Sequence, residues 1–543
     1  MLKKTYRLIG VLATVALLLG ACAPAAAPGA SSGQRPASTQ MASAPGAGAP
    51  QPGGTPGAPG NGNPPPDGFQ GTPPPGGPPP DGFQGTPPPG GAPGSGNPPP
   101  GAPPPDGAQG SANPPPGGPP PDGAQGSGNP PPGGGSSAAP DSIHGTYTLN
   151  AETASQSGQT YQASDTDGSA VYVTNGGSLT LANATILTSG DSSSSDASSF
   201  YGLNAAVLAE AGSTIRVTDS KIVTSGAGAN GVFAAGSGSN VTLENVTIDA
   251  TGKYAHAVMA TLGGVLTLKN VTMTTAGSNS GAIATDRGSG TITATGGTVT
   301  TTGADSPGIY STGNITVSGA KISASGAEAA VIEGANSITL TNSDLSSSKE
   351  DKWGVMIYQS MSGDAEGTQG SFSMSGGSLA YTAAKGPLFY ITNSTGVITL
   401  KNVNLSAASG TLLRVEAGRW GKSGANGGTA LLTADGQTLV GDLFADKISA
   451  ITLTLQNGSA LTGAINPEHT AQAASLTLDA SSHWNVTADS YLTCLVDKAG
   501  VSGTQITNIT GNGHVVTYDA KACQALGGQT YTLGNGGSLQ PAK

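Results

Sequence analysis

Residues 240–252 read NVTLENVTIDATG, and residues 265–277 read VLTLKNVTMTTAG. The first stretch holds no histidine, cysteine, lysine or arginine, so its message is architectural. Val241 and Ile248 are aliphatic and seven residues apart. The same spacing recurs at Leu179/Ile186, Ile215/Ile222, Leu266/Met273, Ile292/Val299, Ile315/Ile322, Ile338/Leu345, Phe372/Leu379 and Ile398/Leu405. A third aliphatic anchor usually follows ten residues later, as in Val232, Val258, Ile283 and Ile309. Three short alternating strands per turn of about 22–26 residues, punctuated by Gly, Asn and Asp, predict an all-β, right-handed parallel β-helix.

Between the paired anchors lies a bend position, occupied by Asn183, Asp219, Asn245, Asn270, Gly296, Gly319, Asn342, Gly376 and Asn402. Asn and Gly tolerate left-handed backbone, and stacked amides can hydrogen-bond along the column, so these asparagines read as structural. Outward positions such as Thr180, Thr242, Thr267, Thr293 and Thr316 form a threonine ladder that β-propensity explains. An ice-binding face would use such a ladder too, but Arg216 and uneven rung lengths speak against it.

The ends and the composition suggest an address. Lys3, Lys4 and Arg7 precede an apolar run from Leu8 to Leu19, which is short for a membrane span. The run closes on Leu19-Gly20-Ala21-Cys22, which resembles the bacterial lipoprotein cleavage box. That resemblance implies residues 1–22 as a signal peptide, thioether lipidation (with palmitate-type acylation) of Cys22 and an exported protein anchored to the cell membrane or outer membrane. Residues 23–140 are built from Pro, Gly, Ala, Ser and Gln, with repeats such as PPPDGFQG. Polyproline II segments broken by Asp-Gly and Gly-Gly predict a solvated stalk, unless PPPDGFQ is a docking ligand. The β-helix is expected over 145–500, with C-terminal rungs or a cap over 501–543. A net charge of -11 argues against a nucleic-acid partner. Once Cys22 is lipidated, Cys494 and Cys523 remain, either as a disulfide, which export favours, or as two buried thiols.

SLTLDASSHWNVTADSYLTCL (475–495) and QTLVGDLFADKISAITLTLQNGSALTGAI (437–465) resemble late rungs of pertactin-type autotransporter passenger domains. The earlier rungs resemble adhesin-like and pectate-lyase-like β-helix proteins. The resemblance spans roughly 165–500 and implies a fold more than an activity. No translocator barrel follows, so it does not imply an autotransporter mechanism.

Chemical motifs are sparse. Gly29-Ala30-Ser31-Ser32-Gly33 fits an esterase pattern but lies in the stalk, and AGRWGKSG has Glu416 where a phosphate loop needs glycine. The five histidines show no metal-ligand spacing, and no cofactor is expected. A polysaccharide lyase would need carboxylates for calcium and a basic residue, and a hydrolase would need paired carboxylates. Glu210, Asp286 and Arg287 are the candidates, with Glu333 in a nominally inward position and no two acids on adjacent rungs. The strand carrying Val207, Val232, Val258, Ile283, Ile309, Val331, Val355 and Phe389 is expected to point these residues inward. Its outward neighbours are Tyr172, Leu208, Phe233, Met259, Ala284, Tyr310, Ile332, Met356 and Tyr390, where polar residues are the norm. With His256 and Trp353 before it and Tyr358 after it, this apolar stripe is a candidate face for sugar rings or a surface protein, unless another segment covers it. The insertions at 191–200 and 361–370 flank it. The expected role is non-catalytic adhesion or carbohydrate recognition at the cell envelope; the alternative is a polysaccharide lyase or glycoside hydrolase on the same sheet.

Overall fold

The computed structural model describes residues 139–543. Cys22, the expected signal peptide over 1–22 and the segment expected to form a stalk, up to residue 138, lie outside the described residues. The described chain winds into a parallel β-helix of about 16 turns. Strands that are one coil apart in sequence pair side by side, giving sheets of 12, 22 and 9 strands.

The seven-residue pairs set the register. Val241 lies between Ile215 and Leu266, and Ile248 between Ile222 and Met273. These columns run from Leu179 to Ile398 and from Ile186 to Leu405. Val241, Leu243 and Ile248 are buried. Each such side chain contributes about 1.5–3 kcal/mol by leaving water. The 12-stranded sheet forms one face of the coil. The 22-stranded sheet forms the other two, and strands Ser337–Ser347 and Gln369–Tyr381 run unbroken around the bend between them.

At that bend Asn183, Asn245, Asn270, Asn342 and Asn402 have φ between 46° and 55°, as does Asp219 at 50°. The Asn245 Nδ2 donates to Asp219 Oδ1 at 3.0 Å, and Asn270 Nδ2 to Asn245 Oδ1 at 3.5 Å. Glycine replaces asparagine at 296, 319 and 376, again at positive φ. A different corner, leading into the 12-stranded sheet, is held by stacked glycines for another reason. A Cβ on Gly252 would collide with the carbonyl of Gly226, one coil earlier, and Gly277 meets Gly252 likewise. Here the requirement is close backbone approach rather than a left-handed φ.

One phase assignment needs correction. Ile309 pairs with Ala330, and Ala330 with Val355, so Ala330 and Ile332 point inward while Val331 lies beside Tyr310 and Met356. The sequence AVIE supplies an apolar residue at either parity. The observed parity puts Glu333 outside the aliphatic column, where hydroxyl groups can serve it; the other would bury a carboxylate among aliphatic chains.

Helix Ser195–Tyr201 fills the first insertion. The Ser194 hydroxyl accepts from the Ala197 N–H at 3.1 Å, and Gly202 ends the helix at φ 76°. No helix among the described residues is long and apolar enough to cross a membrane. At the C-terminal end a disulfide joins Cys494 to Cys523.

Candidate functional site

The outward column of the 12-stranded sheet is built as the side-chain alternation requires, but it does not meet solvent. Tyr172, Leu208, Phe233, Met259, Ala284, Tyr310, Val331, Met356 and Tyr390 form a second buried apolar cluster, separate from the column inside the coil. Phe233, Met259 and Met356 are 0% exposed. Nonpolar side chains on an outer sheet face are thus explained by packing.

Both insertions contribute to that packing. Phe200, in the helix, accepts at its carbonyl from the Thr261 hydroxyl at 2.8 Å, and the following Gly202 lies against Leu208 and Phe233. The Arg287 guanidinium lies 3.8 Å over the Phe200 ring and donates to Asp364 Oδ1 at 2.9 Å. Asp364 belongs to the second insertion, so Arg287 ties the two insertions together. Its role here is a bridge between loops.

The acids fall in one outward column. Glu210 follows Ala209, Asp286 follows Thr285, and the registers Ala235↔Thr261, Ala260↔Thr285 and Ser311↔Ile332 align them with Glu333. They are still never on adjacent rungs: Thr312 separates Asp286 from Glu333. Glu333 is the best-served of the three. It accepts from the hydroxyls of Tyr310 at 2.5 Å and Tyr358 at 2.6 Å, and from the Ser360 N–H at 3.3 Å and hydroxyl. Burial pushes its pKa up, and the hydroxyl donors pull it partly back. Asp286 is pushed well above the usual carboxylate range by burial and then by the charge of Asp364. Its Oδ1 accepts from the Arg287 N–H at 2.8 Å, while Oδ2 and the Thr312 hydroxyl have no hydrogen-bond partner among the described residues. Glu210 lies further along, accepting from the hydroxyls of Tyr172 and Thr174. Burial and then that Glu210 bond raise the Tyr172 pKa to about 12.

His256 is fully buried, and its Nδ1 donates to the Gly281 carbonyl at 2.9 Å. Burial lowers its pKa to about 4, so at neutral pH it is an uncharged member of the packing. Its backbone N–H donates to Asn230 Oδ1 at 2.8 Å.

Aromatic surface emerges at the rim. Trp353, half-buried, stacks on Tyr390 with centroids 4.1 Å apart and planes 5° apart. Trp420, also half-buried, packs on Tyr358 at 4.7 Å. The structure therefore joins Tyr310, Tyr358, Tyr390 and Trp353 in one region with Met356, and leaves Tyr172 at the far end beside Glu210. Trp420 escapes the sequence reading because it sits in AGRWGKSG, outside any rung period. The signal was the tryptophan itself, in a glycine-rich insertion.

Among the described residues no group of three or more His, Cys, Asp or Glu side chains is placed to hold a metal ion. Comparison with protein-family models, curated proteins and solved structures yields no match to this chain.

Proposed function

We propose that this chain is an exported, lipid-anchored recognition protein that holds a carbohydrate or a surface protein without turning it over. The observation that carries the reading is the pair of half-buried indoles, Trp353 and Trp420, each backed by a buried tyrosine at the rim of the 12-stranded sheet. A rigid indole on a fixed platform suits the flat apolar face of a sugar ring, and little side-chain freedom is lost on binding. The carboxylates behind that rim are sealed, with Asp286 0% and Glu333 2% exposed. The first experiment is retention of the full chain on an array of plant and bacterial polysaccharides. Replacing Trp353 and Trp420 by Ala should weaken retention roughly tenfold, the loss of about 1.4 kcal/mol. Undiminished retention in the double variant would sink the reading.

The membrane address is part of the same proposal and rests on the box ending at Cys22. Cys22→Ala should abolish fatty-acid labelling of the protein and move it from the membrane fraction to the soluble extracytoplasmic fraction. Persistent labelling would assign the lipid elsewhere.

One observation favours a second reading. Asp286 and Glu333 share a column two rungs apart, about 9–10 Å between strands. Inverting glycosidases hold their acid and base about 6.5–9.5 Å apart. Asp286, raised further, would be the acid and Glu333 the base, with the Ser360–Gly367 segment displaced to admit a glycan. Release of new reducing ends by the native chain, lost in Asp286→Asn, would replace recognition with hydrolysis. Unsaturated products that require calcium would instead indicate a lyase.

A further inference from the structure

At the edge of the same sheet where Trp353 lies, three charged side chains from successive coils converge away from solvent. Lys352 Nζ lies 2.9 Å from Asp305 Oδ1 and 4.0 Å from Glu328 Oε1. The side chains of Lys352, Asp305 and Glu328 are 6%, 9% and 0% exposed. Their strands follow the order Ile309, Ala330, Val355, so the glutamate sits on the coil between the amine and the aspartate. The lysine is held at its backbone, where its carbonyl accepts from the Tyr381 hydroxyl at 2.5 Å, and Trp353 lies 5.9 Å from Nζ. Asp305 is fixed in a left-handed turn at φ 53°.

The geometry points to an intramolecular isopeptide bond between Lys352 and Asp305, formed with Glu328 as the proton shuttle. An ion pair taken out of water loses much of what the attraction returns, whereas an amide carries no charge and removes that penalty. The step begins when a proton passes from Nζ to the Asp305 carboxylate across the 2.9 Å contact, leaving an amine and a carboxylic acid side by side. The Nζ lone pair then attacks Asp305 Cγ, forming the C–N bond. Glu328 takes a proton from Nζ and returns it to the departing oxygen, the C–O bond breaks, and one water leaves. Glu328 ends as it began, and no oxidant or other co-reactant is needed. Positioning supplies the rate, since reacting groups held this near behave as though at roughly 10⁵–10⁸ M. The product would be a covalent staple across three consecutive coils.

Peptide mapping of the full chain after denaturation and trypsin digestion tests this directly. The linked protein yields one branched species that joins residues 288–321 to 350–385, lighter than the sum of the two peptides by one water, with cleavage after Lys352 blocked. Glu328→Gln should yield the unlinked peptides, and Lys352→Arg must. Asp305→Asn should give the same branched product, with ammonia leaving in place of water. Unlinked peptides at full mass from the native chain would overturn the proposal and leave an ion pair. A branched peptide that persists in Glu328→Gln would overturn the role given to the glutamate. The native digest decides the bond even if a variant fails to fold.

Discussion

Acidification from pH 7 to pH 4 should remove about 3 kcal/mol of the stability that His256 contributes. Its folded pKa of about 4 lies below the ordinary value of 6.5, so the unfolded chain binds the extra proton first. The contribution is therefore complete above pH 6.5 and is lost as pH falls toward the folded value. Asp286 and Glu333 act in the opposite sense. Their raised pKa values make the folded state hold protons more tightly, so they favour folding more as pH falls through the carboxylate range. Comparison with His256→Gln separates the two, because the Gln amide can still donate to the Gly281 carbonyl. Urea unfolding at pH 7 and pH 4 should show the gap between native and variant protein narrowing by about 3 kcal/mol. A gap that stays constant with pH would show that His256 does not remain neutral in the folded state.

Leu243→Ala should cost about 2–5 kcal/mol, since Leu243 is fully enclosed between Val217 and Leu268 in neighbouring coils. Thr242, its outward neighbour, should be replaceable by Ala within about 0.5 kcal/mol. In a coil stacked this way, each coil contacts only its neighbours, so the damage should begin as local opening around residues 214–275. Hydrogen exchange resolved by segment checks both statements. Equal protection loss along the whole chain, or equal cost for Thr242→Ala, would contradict them.

That contrast shows why the fold was readable. Val241 and Ile248 recur seven apart because each coil must add its own side chains to one continuous interior, and the register repeats the spacing faithfully. The bend was readable for an equally local reason, the left-handed φ that Asn245 and Gly296 tolerate. The site was less so. Phe233 looks out of place on an outer face until helix Ser195–Tyr201 packs there, and nothing periodic announces that packing. Val331 misled because its neighbours are apolar at both parities, so only the paired strands place Glu333 among Tyr310, Tyr358 and Ser360. Lys352, Asp305 and Glu328 lie 47 residues apart end to end in sequence, in turns that the aliphatic spacing does not index.

The disulfide at the C-terminal end has a mechanical meaning once the direction of pull is considered. A tether at the N-terminal side and a load gripped near Trp353 would put tension only on the coils from His144 to that tryptophan. Cys494 and Cys523 lie beyond the load and would feel none of it. Their bond guards instead against fraying of the C-terminal coils, leaving resistance to peeling in the loaded half to the stacked strands and whatever joins Asp305 to Lys352.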